Sequence, residues 1–117
     1  MKKFLLAFFI FFVLNAVYCH APTEIKIDFD TMTSLIKVDV KHSLLTSPVQ
    51  DPTKHYIKTI TLKINGKTVR SETFKKQETI NGQTFVFNNI NAVKGNKITV
   101  EAVCSMIGSK STTIIVK

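Results

Sequence analysis

From residue 25 onward, apolar and polar residues alternate with a period of two through most of the chain. Ile25, Ile27 and Phe29 alternate with Lys26, Asp28 and Asp30, and a turn-prone run from Asp30 to Ser34 follows. Ile36, Val38, Val40 and His42 then share one face, opposite Lys37, Asp39 and Lys41. Successive strand residues point to opposite faces, so these runs predict two half-buried strands, with His42 on the apolar face at a strand end. Residues 43–53 lose the period and carry Pro48 and Pro52, which predicts a loop. A third strand is expected to open near His55 and run through Ile60, Leu62 and Ile64. Asn65-Gly66 tolerates the positive φ of a type I′ turn and predicts a hairpin. Its return strand covers 67–74, with Val69 facing inward.

The alternation continues to the end of the chain. Asn81-Gly82 marks a turn ahead of a strand over 84–88, with Phe85 and Phe87 on one face. Lys94-Gly95-Asn96 marks a loop. Ile98, Val100, Ala102 and Cys104 then alternate with Thr99, Glu101 and Val103, and after a turn at Gly108 residues 111–116 close the chain as a β-branched strand. No segment here has a helical period. About seven short strands separated by turn residues predict an all-β, immunoglobulin-like antiparallel sandwich. The Cys…Trp…Cys signature of a true immunoglobulin domain is missing, since the chain has no Trp.

The beginning of the chain follows another pattern. Met1-Lys2-Lys3 is a basic start, Phe4 to Val13 is unbroken apolar sequence, and small or weakly polar residues follow from Leu14 to Ala21. That is the three-part pattern of a secretory signal peptide. The apolar run ends at Asn15, short of the roughly 20 residues a membrane span needs. We therefore read 1–19 as a signal and 20–117 as one exported domain, periplasmic or extracellular, with no stable membrane insertion after cleavage. Cuts after Ala16, Cys19 and Ala21 all fit, and the choice among them decides whether His20 survives.

The chain has 117 residues and a formal net charge of +8. The lysines are scattered along alternating positions, without an arginine-rich run or interleaved aromatics, so they read as solvated strand faces and nucleic acid is not an expected partner. Only Cys19 and Cys104 are present, and Cys19 falls in the signal. An exported domain with one remaining cysteine either buries it as a small hydrophobe or uses it as a ligand. No Ser-His-Asp arrangement or phosphate-binding glycine loop is visible, and Asp28, Asp30 and Asp39 fall on outward positions.

Metal ligation is the chemistry left. His42 ends one predicted strand, His55 opens the next, Cys104 ends a third, and His20 precedes the first. All four can converge at one rim of a sandwich. Imidazole with thiolate suits iron, copper or zinc and argues against calcium or magnesium. The spacing is neither that of a zinc finger nor of a typical blue-copper site.

These same residues carry a family resemblance. Val40-Lys41-His42, Lys54-His55-Tyr56-Ile57, Ile60 and Asn65-Gly66-Lys67 resemble the iron-binding domain of the desulfoferrodoxin and superoxide reductase family. His20-Ala21-Pro22 is similar to its early H-x-P element, and Cys104-Ser105-Met106-Ile107-Gly108 to its late C-N-x-H-G element. The resemblance spans the exported domain and implies a seven-stranded immunoglobulin-like fold. It also implies a mononuclear iron, held in the family by four histidines and an axial cysteine. Here His20, His42, His55 and Cys104 match ligand positions. Ile107 stands at the fourth histidine, Ser105 at the asparagine, Ser43 at a proline, and Tyr18-Cys19 at the Glu-Lys that precedes the first ligand.

The implied partners are superoxide as oxidant and an electron donor, with Lys54 as a weak candidate for catalytic positive charge. The alternatives are a copper or zinc carrier, or a binding or structural module that has lost its metal.

Overall fold

The computed structural model describes residues 20–117, so the expected signal segment lies outside the described residues. Each alternating run forms a strand: β1 (Glu24–Asp30), β2 (Leu35–Lys41), β3 (Ile57–Ile64), β4 (Lys67–Thr73), β5 (Gly82–Phe87), β6 (Lys97–Cys104) and β7 (Ser109–Ile115). The strands make two sheets, β1-β2-β5 and β4-β3-β6-β7, and every neighbouring pair is antiparallel. The all-β expectation holds for the described residues.

One core joins the sheets. Ile36, Val38, Val40, Phe85 and Phe87 from the first sheet are buried in the same cluster as Ile60, Leu62, Ile98, Val100 and Ala102 from the second. Burial of these side chains supplies the main driving force for folding, at about 25 cal/mol per Å² of apolar surface. The lysines at 26, 37, 41 and 58 are exposed, as their outward positions require.

Two β-bulges override the simple alternation, and both involve β3. In the β3–β4 hairpin, Leu62 faces Arg70 while Lys63 faces Thr68, so Val69 is the extra residue. Val69 is therefore 45% exposed instead of inward-facing. On the other side of β3, Ile57 pairs with Cys104 while Thr59 pairs with Val103, which makes Lys58 the extra residue. A bulge reverses the facing of every residue beyond it. Ile57 thus joins the interior together with Ile60 and Leu62, although strict alternation would have sent Ile57 and His55 outward.

His55 itself does not open the strand. It sits in the turn ahead of β3, which Asp51 closes. The Asp51 carbonyl accepts the backbone N–H groups of Lys54 (3.0 Å) and His55 (2.9 Å). The Asp51 carboxylate accepts the Thr53 backbone N–H (2.9 Å) and hydroxyl (2.7 Å). These bonds, the backbone one foremost, hold the Asp51 carboxyl below its ordinary pKa.

Candidate metal centre

His42, the residue after β2, continues the inward face of Ile36, Val38 and Val40 and is fully buried. Its backbone N–H donates to the Asn81 carbonyl at 3.0 Å, which anchors it to the loop before β5. Cys104 ends β6 on the inward face of Ile98, Val100 and Ala102. His55 lies in the turn that leads into β3, the strand whose first residue, Ile57, pairs with Cys104. The three side chains meet where the sheets close at one end. His42 and His55 are 0% exposed and Cys104 5%, and one donor atom of each lies within 4.8 Å of the others.

Ser105 ties two of these arms together. Its backbone N–H donates to the Tyr56 carbonyl at 2.8 Å, and its hydroxyl accepts the Tyr56 N–H at 3.0 Å. The hydroxyl also reaches the Lys54 carbonyl at 3.4 Å. Ser105 thus clamps the His55 arm to the Cys104 arm. Cys104 Sγ accepts the Met106 N–H at 3.4 Å.

The outer ring nitrogens of the two buried histidines have partners, and the inner ones do not. His55 Nδ1 lies 3.0 Å from the Val49 carbonyl, which can only accept, so Nδ1 carries the proton. His42 Nδ1 lies 2.7 Å from Gln77 Oε1. His42 Nε2 and His55 Nε2 are buried and make no hydrogen bond among the described residues. An unmet buried acceptor costs about 1–3 kcal/mol, and one thiol proton can serve only one of the two. A cation between them satisfies both lone pairs and the sulfur together. Bonds of about 2.0–2.3 Å from imidazole and thiolate to a single ion would draw the three donors inside their present 4.8 Å limit. The donor set fits a transition metal.

His20 stands beside this trio. Its ring centroid is 5.7 Å from that of His42, and the rings are nearly perpendicular, at 77°. His42 and His55 meet similarly, at 4.8 Å and 85°. His20 Nδ1 contacts its neighbour's carbonyl at Ala21 (2.9 Å), and Nε2 has a long contact with Thr46 Oγ1 (3.5 Å). His20 therefore flanks the three meeting donors without being one of them. Lys54 is exposed next to His55, and Ile107 is 52% exposed in the loop after Cys104.

Gly108 seats the His20 segment. A Cβ there would lie 2.9 Å from Ala21 Cβ and 3.1 Å from its backbone N and Cα, and Gly108 already has φ of +86°. Gly108→Ala is expected to cost about 1–2 kcal/mol for the left-handed backbone and to dislodge Ala21. In histidine-ring NMR spectra the His20 signals should move while those of His55 hold. Unmoved His20 signals would show that Gly108 does not position this segment.

Sequence reasoning missed Gln77, which is 2% exposed and bonded to His42. Its only sequence signal is a glutamine in a polar loop, which by itself says nothing. No protein-family description, curated protein or solved structure matches this chain.

Proposed function

We propose that this protein is an exported metal-binding β-sandwich of the desulfoferrodoxin kind, immunoglobulin-like in fold. His42, His55 and Cys104 hold one transition-metal ion, iron by resemblance, and His20 is a further ligand when the signal cut leaves it in place. The observation that carries this reading is the pair of buried, unpartnered Nε2 atoms on two histidines that each bring a ring nitrogen within 4.8 Å of a buried cysteine sulfur. A packed core has no use for two unmet acceptors side by side, whereas a metal centre requires them.

Iron bound there would supply one-electron chemistry toward a small oxidant such as superoxide, which becomes hydrogen peroxide on gaining one electron and two protons, the electron coming from an external donor. The protein's own share is to hold the donors and limit water. Cys104 contributes a soft anionic donor, tempered by the Met106 N–H. The burial of His42 and His55 keeps bulk water from their rings, and the half-buried His20 stands beside His42. Exposed Lys54 offers positive charge near the His55 arm.

The Ile107 position and the Tyr18-Cys19 pair, which lies outside the described residues, leave the reductase pattern incomplete. The reading therefore puts metal binding and electron transfer ahead of rapid turnover. A copper or zinc carrier is the second reading, favoured by the small, thiolate-containing set of buried donors.

Metal analysis of natively purified protein, with optical spectroscopy after oxidation, tests both. Stoichiometric iron with a thiolate-to-iron charge-transfer band is expected, and stoichiometric copper or zinc would support the second reading. Metal-free protein with a freely reactive Cys104 would overturn both. Mass spectrometry of the mature N-terminus reports whether His20 is available.

A further inference from the structure

We infer, resting on the metal-centre reading for the ion concerned, that Gln77 is a positioning residue that fixes His42 with its proton on Nδ1 and its lone pair on Nε2. The loop between β4 and β5 carries Gln77 into the interior, where it makes four hydrogen bonds. The side-chain amide donates to the His42 carbonyl at 2.8 Å and to the Thr79 carbonyl at 2.8 Å. Both amide hydrogens are thereby used. Oε1 is left facing His42 Nδ1 at 2.7 Å. Reversing the amide would set its oxygen against two carbonyl oxygens, so the orientation is chemically determined. An amide oxygen only accepts, and His42 Nδ1 must donate to it. The remaining lone pair is then on Nε2, the buried atom without a partner among the described residues.

The fourth bond extends the role of Gln77 beyond His42. Its backbone N–H donates to the Pro52 carbonyl at 2.9 Å, in the loop that leads to His55. Gln77 thus grips the His42 backbone, the His42 ring and the approach to His55 together. These two arms come from different sheets, and their spacing sets the bite offered to an ion. A partner on the far nitrogen of a ligating histidine fixes ring orientation and tautomer, and its loss typically lowers metal affinity about 10–100-fold.

The test starts with the unsubstituted, metal-free protein labelled with ¹⁵N-histidine. Long-range ¹H–¹⁵N correlation should show His42 as the Nδ1–H tautomer; an Nε2–H tautomer would overturn the inference without any variant. Gln77→Met should then give a mixture of tautomers. Gln77→Glu, which keeps an acceptor toward Nδ1–H, should retain the native tautomer.

Cobalt(II), whose thiolate charge-transfer absorption reports Cys104 ligation, serves as the probe ion. Gln77→Met should weaken its binding about 10–100-fold. A purely structural glutamine would lower thermal stability in both variants alike and leave the tautomer and the cobalt affinity of Gln77→Met unchanged, which would sink the inference. If the unsubstituted protein binds no metal while its tautomer follows residue 77, the positioning role stands and the metal-centre reading fails.

Discussion

Cys104→Ala is expected to abolish tight metal binding while leaving the sandwich folded. Cys104 is the only cysteine among the described residues and the only donor of the trio able to bind an ion as an anion. Its loss leaves two neutral imidazoles, so affinity should fall by at least about 100-fold, the upper end of what losing an outer partner alone costs. The thiolate charge-transfer band should vanish with it. The fold should tolerate the change because alanine is also a small apolar residue, and Ala102 already occupies the preceding inward position of β6. The measurement is metal titration alongside thermal unfolding of the metal-free forms. Equal metal content in wild type and variant, with the protein folded in both, would remove Cys104 from the site and the main support for the proposed function. Cys104→Ser makes a useful companion, since a hydroxyl restores size and polarity without a soft anionic donor.

The second large effect is expected at Gly82, where fold and site share one backbone contact. Gly82 opens β5 opposite Lys41, with φ of +146°, and any Cβ there would overlap the Val40 carbonyl oxygen. The clash is with backbone, which cannot rotate aside as a side chain would. Gly82→Ala should destabilise the protein by about 2–5 kcal/mol, combining a disfavoured backbone conformation with steric overlap. Gly95→Ala is the control: φ there is +92°, but a Cβ would meet nothing within 4 Å, so only the backbone cost applies. Denaturant unfolding of the two variants compares them directly, and equal losses would refute the clash.

Gly82→Ala should also weaken metal binding in whatever fraction remains folded. The Val40 segment leads directly into His42, and the His42 N–H is bound to Asn81 beside Gly82. Normal affinity in a folded Gly82→Ala variant would show that His42 is positioned from elsewhere.

Much of the architecture is local information. The alternation at 36–42 and 98–104 is sufficient to place His42 and Cys104 on inward faces at strand ends, because side-chain facing along an unbroken strand depends only on sequence parity. The turns at Asn65-Gly66 and Gly108 are legible for a similar reason, since both sites adopt the positive φ that few other residues favour. The three donors that meet were all visible as chemistry-bearing residues at the ends of predicted elements.

The sequence by itself determined an all-β chain, the inward faces of β2 and β6, and a set of soft donors with no competing catalytic arrangement. Only the tertiary structure decided how those donors meet. Strict alternation back from Ile60 and Leu62 sends Ile57 outward; the bulge at Lys58 returns it to the interior, paired with Cys104, and the turn held by Asp51 then brings in His55. A bulge is a property of two paired strands, so neither strand's own sequence announces it. The same holds for Gln77, whose partner lies 35 residues away, and for Gly108, whose need for a bare Cα comes from Ala21 packed against it. His20 stands beside the trio because the sheets and the Cys104 loop seat it there. Parity along a strand is written locally; the register between strands and the hydrogen bonds that cross from one loop to another exist only once the sheets have come together.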